Sequence, residues 1–348
     1  MGPADLLEGK LLEGKWRVLK KLTRKPTSTG GVFSTGYLIQ HVDGQKYFLK
    51  AMDYTRAFNS PDTLAAMNAW TSAYIFERNV CEKCRDRRLK RVVHAVEAFT
   101  TQATPGHPFS KVECLVFELA EGDVRAHLDK CDEFDIALVL RALHHVATGL
   151  EQLHKTDIAH QDLKPSNVLV FDQKIGNKIS DFGRAWAKDF RAAHDDYPVA
   201  GDLSYAPPEL LYRQVSDDVS KRRFGCDTYH LGSLATFFFT RSHMNALLAK
   251  HLAPEHIWLT WGGSYSEVLP YVQAAFGLAL EEFAAAIPAD YRSEMTDILS
   301  YLCQPNPAER GHPLNGRQHA GQFSLDRFIS RFDCLALRAE IRLKSGKK

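Results

Sequence analysis

Cysteine, long hydrophobic runs and net charge are the three properties of which this sequence has little. Seven cysteines among 348 residues are an odd number scattered along the chain, which is typical of free thiols in a reducing compartment. No hydrophobic run approaches the roughly 20 residues of a membrane-spanning helix, and residues 1–15 mix leucine with glutamate and lysine, unlike a secretion signal. A formal net charge of +2 gives no argument for binding to nucleic acid or membranes. We therefore expect a cytoplasmic protein with neither kind of partner.

The composition is otherwise that of an ordinary globular protein, with 45% hydrophobic and 25% charged residues. The chain is long enough for one large two-lobed domain or for two average domains. Segments 16–19, 33–40 and 46–52 have the residue types of β-strands. Apolar residues at helical spacing then indicate a long core helix over residues 136–153. This order predicts a strand-rich region followed by a larger helical region.

The residues most suited to chemistry are concentrated in the stretch 160–167, which reads HQDLKPSN. A carboxylate, a lysine two places later and an amide five places later form a compact set for handling phosphate. Asp162 can take the proton of an attacking hydroxyl, and Lys164 can neutralise charge on a transferring phosphoryl group. Asn167 can supply an oxygen ligand to Mg²⁺.

A second candidate metal ligand lies fourteen residues beyond Asn167, in the motif DFG at 181–183. Its carboxylate, Asp181, is followed by an aromatic residue and a flexible glycine. The apolar segment 168–171 and the glycine-asparagine turn at 176–177 have the pattern of a β-hairpin between the two motifs. Such a hairpin would bring the asparagine and the aspartate to one site.

These two motifs resemble the catalytic and metal-binding loops of the eukaryotic-type (Hanks-type) Ser/Thr protein kinase family. The resemblance extends from about Trp16 to Arg310. It implies an α+β, bilobal fold, with a small β-rich N-lobe, a large α-helical C-lobe, and ATP and Mg²⁺ between them. The implied segments are an N-terminal extension (1–15), the N-lobe (16–117), a hinge (118–122), the C-lobe (123–335) with an enlarged segment at about 241–291, and a basic C-terminal tail (336–348).

The resemblance also assigns residues to the nucleotide. Lys50 is implied to hold the α- and β-phosphates, and Glu77 on the following helix is implied to form an ion pair with it. Glu82 is the alternative partner. The gap between Lys50 and Glu77 is longer than is usual for the family. The helix is predicted to begin with Ser60 as its N-cap and to end near Cys81. The other residues implied at the ATP site are Gly30, Gly31, Ser34, Phe48, Phe117, Glu118, Ala120, Asp123 and Leu169.

Four of these residues have more specific implied positions. Phe117 is implied at the back of the adenine pocket, which its bulk would close. The carbonyl of Glu118 and the amide of Ala120 are implied to meet the adenine edge. Asp123 is implied to contact either the ribose or the substrate.

The glycine-rich loop and the strand beside it depart from the family pattern. Thr29 and Ser34 stand where the family has its first and third glycines. Gly36 stands where the family has a valine that packs on the adenine, and Phe48 where it has an alanine. A side chain lost on one strand and gained on the facing strand predicts an exchange of volume, with Phe48 filling the space above the nucleotide.

In the large lobe the resemblance implies two structural contacts. Glu209, in the motif PPE at 207–209, is implied to form a buried ion pair with Arg310 near the end of the resemblance. Asp227 is implied to begin the central helix and to bind backbone amides of the catalytic loop. Both contacts would hold the site without touching the substrate.

The segment after the DFG motif indicates how activity is controlled. Gln161 replaces the arginine that in many kinases receives a phosphate from this segment, and Tyr197 and Ser204 are the only hydroxyl side chains between Arg184 and Ser204. With receiver and donor both weak, we expect activity without phosphorylation of this segment. Asp202 stands where the family often has a threonine that touches the catalytic aspartate, and whether it can substitute is open.

The resemblance implies an ATP-dependent protein kinase that transfers the γ-phosphoryl group to Ser/Thr hydroxyls of protein substrates. The lysine at 164 favours Ser/Thr over Tyr as acceptor by analogy with the family. Two alternatives remain. One is a pseudokinase that acts as a nucleotide- or protein-binding module, suggested by the weak glycine-rich loop. The other is a small-molecule phosphotransferase of related fold, which would not be expected to keep the PPE motif.

Two further features each allow two interpretations. Cys81 and Cys84 have metal-ligand spacing, with His94 and Cys114 as candidate additional ligands, but no second close pair is present. Packing of these thiols as small apolar groups is the alternative. The aromatic-rich segment 258–276 is either core or a surface for a partner.

Overall fold

The part of the chain that the computed structural model describes comprises residues 2–23, 34–107, 110–130, 134–172, 176–315 and 321–346. It has two lobes, as expected from the sequence. The smaller lobe is an antiparallel six-stranded sheet with the order β1-β2-β3-β4-β6-β5 and one long helix, α1. Its elements are β1 (Leu11–Leu12), β2 (Trp16–Lys21), β3 (Ser34–His41), β4 (Lys46–Met52), α1 (Thr63–Asp86), β5 (Ala95–Gln102) and β6 (Lys111–Glu118).

The start and end of α1 differ from the prediction. Asp62, and not Ser60, caps the helix, because its Oδ1 accepts a hydrogen bond of 2.9 Å from the Ala65 amide. The helix continues past Cys81 to Asp86, since its buried face extends through a further turn. This added turn carries the basic residues that precede β5 into solvent.

Part of the predicted N-terminal extension belongs to the small sheet. Leu11 and Leu12 form the edge strand β1, paired with β2. Leu7 and Leu12 are buried, and the Tyr37 hydroxyl donates a hydrogen bond of 2.6 Å to the Ala4 carbonyl. Apolar side chains at these positions explain why the segment packs on the sheet.

The larger lobe is mainly helical and contains five short strands among the described residues of 122–187. Fully buried Leu140, Leu143 and Val146 confirm the predicted core helix, α3. No helix within the described ranges has both the length and the apolar character needed to cross a bilayer. The strands are β7 (Gly122–Asp123), β8 (Ile158–Ala159), β9 (Val168–Val170), β10 (Asn177–Ile179) and β11 (Trp186–Ala187), and the helices are α2 (Val124–Leu128), α3 (Ile136–His154), α4 (Pro208–Leu211), α5 (Gly225–Thr240), α6 (Met244–His251), α7 (Tyr265–Ala286), α8 (Ala289–Leu302) and α9 (Asp326–Lys344).

The enlarged segment near 241–291 folds into α6, α7 and the start of α8. Tyr265 and Phe276 on α7 are buried in the hydrophobic core of the large lobe, which supports core packing for these two aromatic residues. Tyr271 on the opposite side of α7 is 50% exposed. The segment therefore has both a core face and a surface face.

The boundary predicted at 335/336 falls inside α9, so residues 336–344 are not a separate tail. The apolar face of α9 continues through Leu335, Ala336 and Ala339, which are all buried. Ion pairs from Arg141 on α3 reinforce the contact, among them a distance of 2.8 Å from its Nε to Glu340 Oε1. Helical periodicity across the boundary is the physical reason for the difference.

Candidate active site

Strand β4 directs Lys50 toward the cleft between the lobes, because its neighbours Leu49 and Ala51 are buried in the core of the small lobe. The Lys50 ammonium lies 2.6 Å from Glu77 Oε1 and 2.7 Å from Oε2, so the two residues chosen from the sequence are in contact. Glu82, the alternative partner, is instead within 3.8 Å of Arg78. Burial lowers the pKa of Lys50, but the carboxylates of Glu77 and Asp181 outweigh it and the pKa is raised. Lys50 is therefore a cation.

Asp227, near the start of α5, binds the backbone of the predicted catalytic loop at residues 160–167. Its Oδ2 accepts from the His160 amide and its Oδ1 from the Gln161 amide, each at 2.7 Å. His154 Nε2 lies 2.9 Å from Oδ2. Burial raises the pKa of Asp227, but the His154 hydrogen bond helps to bring it below its usual value. These contacts hold Gln161 at a positive φ of 60°, a strained conformation that such an anchor stabilises.

Asp162 lies at the centre of the loop, with only 6% of its surface exposed. Its Oδ1 accepts 2.8 Å from the Asp202 amide, and its Oδ2 lies 3.1 Å from Lys164 Nζ. The side-chain Nδ2 of Asn167 donates a hydrogen bond of 3.2 Å to the same Oδ2. Burial raises the pKa of Asp162, the Asp181 carboxylate adds to this, and Lys164 opposes it. A carboxyl group with a raised pKa is better suited to accept a proton than an exposed one.

The predicted hairpin joins the two candidate metal ligands. Strands β9 and β10 pair antiparallel, and the Ser180 amide donates 2.9 Å to the Asn167 carbonyl. Asn167 Nδ2 donates 2.7 Å to the Asp162 carbonyl, which directs Oδ1 away from that backbone. Asp181 has a φ of 66° and, although burial raises its pKa, Lys50 and His160 lower it below the usual value. An amide oxygen and an ionised carboxylate are the hard ligands that Mg²⁺ prefers, so these residues fit the metal.

The adenine side of the site is described except for its glycine-rich loop. The predictions for Gly30 and Gly31 lie outside the described residues, and Ser34 begins β3. Phe48 and Phe117 are paired across β4 and β6, with ring centroids 6.4 Å apart. Phe48 and Phe117 therefore lie side by side on one face of the sheet, on two of its interior strands.

The segment that follows β6 connects the two lobes. Asp123 uses one carboxylate oxygen to cap α2, 2.8 Å from the Ala126 amide. Leu169 pairs with Asp123 between β9 and β7, so both lie beside the connection. Ala120 is half-buried and packs against the core of the cleft. These residues therefore lie along the connection between the lobes, and their contacts with a nucleotide stay a prediction.

Two contacts at the site were not predicted from the sequence. Lys178 on β10 lies 2.6 Å from Glu118 Oε2 and ties the connecting segment to the metal-binding hairpin. Arg223, just before α5, donates to Gln161 Oε1 and, at 2.7 Å, to the Asp195 carbonyl. The sequence gives little indication of either contact. Lys178 and Arg223 each bind a partner about 60 residues away, which local sequence patterns do not specify.

Glu209 and Arg310 form a bidentate ion pair in the interior of the large lobe. Arg310 Nη1 and Nη2 lie 2.7 Å from Glu209 Oε1 and Oε2, respectively. Arg310 Nε donates 2.9 Å to the Gln304 carbonyl, and the arginine is fully buried. Burial lowers the pKa of Arg310, but the Glu209 carboxylate outweighs this, and the pKa is raised.

The candidate metal pair on α1 is buried instead of open to ligands. Cys81 and Cys84 pack in the hydrophobic cluster between α1 and the cleft. Burial raises the pKa of both thiols, that of Cys84 to about 12. His94 Nε2 lies 3.1 Å from the Leu89 carbonyl. Metal binding needs thiolates, so these surroundings favour the apolar role.

Comparison with known proteins gives partial matches to several kinases. A calcium and calcium/calmodulin-dependent serine/threonine-protein kinase from Oryza sativa subsp. japonica is 44% identical over 108 residues, which are 29% of this chain and 20% of the relative. A protein of the same name from Lilium longiflorum is 32% identical over 165 residues, or 44% of this chain and 31% of the relative. An Aurora kinase from Debaryomyces hansenii is 25% identical over 215 residues, or 59% of this chain and 45% of the relative. The chain thus spans less than half the length of each of these relatives.

A family-level match covers far more of the chain. The sequence pattern described as protein kinase domain matches residues 29–320, which include most of both lobes and every side chain of the site described above. The chain therefore belongs to the protein kinase domain family, as a eukaryotic-type protein kinase.

Proposed function

We propose that the chain is an ATP-dependent protein kinase that transfers the γ-phosphoryl group to Ser/Thr hydroxyls of protein substrates. The single observation that carries this is the intact ion pair of Lys50 and Glu77 on one side of the cleft, 2.6 Å long, facing a catalytic loop anchored by Asp227. Family membership and the Ser/Thr kinase names of the relatives support the acceptor class. Lys50 and Asp181 are ionised, and Lys164 and Asn167 are hydrogen-bonded to Asp162.

The roles of the side chains follow from their charges and contacts. Asp162 accepts the proton of the acceptor hydroxyl, and Lys164 stabilises charge on the transferred phosphoryl group. Lys50 holds the α- and β-phosphates, in an orientation set by Glu77. Mg²⁺, when bound to Asn167 and Asp181, would neutralise phosphate charge.

We propose that this activity does not need phosphorylation of the segment after the DFG motif. Gln161 Nε2 donates 3.1 Å to the Arg184 carbonyl, while its Oε1 accepts from Arg223. The same arginine and Arg222 both donate to the Asp195 carbonyl, at 2.7 and 2.8 Å. Hydrogen bonds from Arg222 and Arg223 to main-chain carbonyls tie the segment down without a phosphate, which supports an ordered segment without modification.

Contacts from this segment to α1 support the same proposal. His194 Nε2 lies 2.8 Å from the Ala185 carbonyl, and its ring packs edge-on against Phe76 of α1 with centroids 5.5 Å apart. Lys83 on α1 pairs with Asp189 at 2.8 Å. Because α1 also carries Glu77, these contacts favour the position of the helix that keeps the Lys50 ion pair closed.

A pseudokinase is the second candidate, and Phe48 is the observation that favours it. Its ring lies on the inner face of the sheet against Gly36, where the resemblance implies that adenine would bind. A small-molecule phosphotransferase is less favoured, because such an enzyme would not be expected to keep the PPE motif, whose Glu209 forms a buried ion pair with Arg310.

Transfer of labelled phosphate from ATP to a generic protein substrate, with Mg²⁺ present, tests the proposal. We expect Asp162→Asn to lower the rate by about 10²–10⁴, and acid hydrolysis of the product to give phosphoserine or phosphothreonine. The exposed Asp217→Asn removes one carboxylate from the same lobe and serves as the matched control. Nucleotide binding without transfer would support the pseudokinase, and transfer only to small molecules would support the phosphotransferase.

We further propose a cytoplasmic location and a partner surface in segment 258–276. Tyr271 is 50% exposed and stacks on His256, with ring centroids 3.8 Å apart. Leu259 beside them is 86% exposed, so the segment presents an aromatic and an aliphatic side chain to solvent.

A further inference from the structure

Asp202 touches both charged residues of the catalytic loop. Its backbone amide donates 2.8 Å to Asp162 Oδ1, and its own Oδ2 lies 3.4 Å from Lys164 Nζ. Its Oδ1 accepts 3.0 Å from the Ser204 amide, which fixes the rotamer. A carboxylate therefore lies where the proposed proton acceptor and the proposed charge-stabilising lysine meet.

Gly201 allows this close approach. A Cβ at that position would lie 2.2 Å from the Gln161 carbonyl oxygen and 2.8 Å from Asp162 Oδ1. The chain thus passes directly against the catalytic loop, and the hydrogen bond from the Asp202 backbone amide to Asp162 holds the backbone of residue 202 there. With 22% of that side chain exposed, the carboxylate remains accessible from the cleft.

The charges at this point do not balance. Asp162 and Asp202 share the single ammonium of Lys164, so two negative charges meet one positive charge and leave one negative charge in excess. A threonine at 202 would leave the group neutral. Burial raises the pKa of Asp202, but the Ser204 amide and Lys164 outweigh it and keep the pKa below its usual value.

Neighbouring basic groups on the adjoining elements are engaged elsewhere. The guanidinium of Arg125 interacts with the Tyr205 hydroxyl and lies 6.0 Å from the Phe237 ring centroid. Burial lowers the pKa of His243, so this nearby imidazole is neutral at physiological pH. The excess negative charge is therefore open to a cation supplied by the substrate.

We propose that Asp202 is a specificity-determining residue that favours acceptor serines and threonines directly flanked by lysine or arginine. The inference rests on the proposed kinase function. Consecutive Cα atoms are only about 3.8 Å apart, so a residue adjacent to an acceptor held at Asp162 has its side chain within reach of the neighbouring carboxylate. Opposite charge at this distance attracts the peptide, and its effect decreases as salt increases.

Four serine peptides, identical except for lysine or glutamine immediately before or immediately after the serine, test the inference. For the wild-type protein we expect kcat/KM to be about threefold to tenfold higher with lysine on at least one flank. Asp202→Asn keeps the backbone amide and the shape of the side chain but removes the charge, so this preference should fall to near unity. Asp217→Asn should retain it.

The outcomes distinguish a failure of the proposed kinase function from a failure of the proposed role of Asp202. Transfer to none of the peptides and to no generic protein would overturn the kinase function and this inference with it. Transfer without preference between lysine and glutamine, or an unchanged preference in Asp202→Asn, would overturn the inference and leave the kinase function in place. If Asp202→Asn does not fold, Asp202→Thr carries the same measurement, and a preserved preference in that variant contradicts the role of Asp202.

Discussion

Gly36 and Phe48 share one space on the inner face of the small sheet. A Cβ added to Gly36 would lie 2.9 Å from Phe48 Cε2 and 3.2 Å from Cζ, closer than real Cβ atoms approach a rigid ring. The two residues lie on the paired strands β3 and β4. The exchange of volume expected from the sequence is therefore present as a direct contact, and the ring cannot keep its place if residue 36 gains a side chain.

Replacement of this glycine provides the first prediction. We expect Gly36→Val to lower the free energy of unfolding by about 1–3 kcal/mol through overpacking and to weaken nucleotide binding. Gly36→Val combined with Phe48→Ala should recover most of both losses, because the ring that causes the clash is gone. Urea unfolding and calorimetric titration with ATP measure the two effects. Unchanged stability and unchanged ATP affinity in Gly36→Val alone would contradict the idea that residues 36 and 48 compete for one space.

The buried pair of Glu209 and Arg310 provides the second prediction. Arg310→Met leaves the Glu209 carboxylate without its partner in the interior, so we expect a loss of about 3–5 kcal/mol in the free energy of unfolding. Lys250→Met breaks an exposed ion pair of similar length, 2.8 Å to Glu282, and should cost less than about 1 kcal/mol. Equal losses in the two variants, measured by urea unfolding, would show that burial does not govern the contribution of the pair.

The third prediction concerns the buried imidazole of His145 on α3. Its Nδ1 accepts 3.2 Å from the Asn177 amide, which requires that nitrogen to be unprotonated. Burial, and then the charge of Arg91, lower its pKa from 6.5 to about 3. Between these values the unfolded chain binds a proton that the folded protein does not, so stability falls as pH decreases from 6.5 toward 3.

His145→Gln should remove this part of the pH dependence. Below pH 6.5 the free energy of unfolding should fall less steeply with decreasing pH in the variant than in the wild type. The two slopes should differ by about 1.4 kcal/mol per pH unit. The exposed His127→Gln controls for the loss of one imidazole. Parallel curves for wild type and His145→Gln between pH 6.5 and 4.5 would mean that this histidine is protonated in the folded protein.

The features that could be predicted from the sequence were those set by short-range spacing or by the family resemblance. Asp162, Lys164 and Asn167 lie within six residues of one another, so any tight loop brings them together. The core helix α3 follows from apolar periodicity alone. The pairing of Lys50 with Glu77 across 27 residues needed the resemblance, since local patterns do not specify which of two glutamates on a helix faces a strand.

The features that were missed depend on long-range packing. Lys178 and Glu118 are 60 residues apart, and Arg223 and Gln161 are 62 apart. Each pair forms only because the large lobe brings a strand or a helix start against the cleft. The cap of α1 was missed for a local reason, because Ser60 and Asp62 are both good caps and only the backbone path decides between them.

The fourth prediction concerns the segment after the DFG motif, which Arg222 and Arg223 hold through hydrogen bonds. Phosphatase treatment should leave the rate of protein phosphorylation unchanged, because Arg223 is already bonded to Gln161 and to the Asp195 carbonyl. Mass spectrometry of the treated, active protein should find no phosphate on Tyr197. Loss of activity on this treatment, with recovery when Tyr197 or Ser204 is phosphorylated again, would contradict phosphorylation-independent activity.

Arg223→Gln should then lower kcat even in untreated protein. It removes a hydrogen bond from a charged donor to Asp195, worth about 1.5–3 kcal/mol, so the ordered segment should become less populated and the rate should fall by roughly tenfold to a hundredfold. Arg191→Gln is the matched control, because Arg191 lies in the same segment and pairs with Asp196 at the surface, at 3.0 Å. If both variants keep the wild-type rate, another contact orders the segment, and the edge-on packing of His194 on Phe76 becomes the next feature to test.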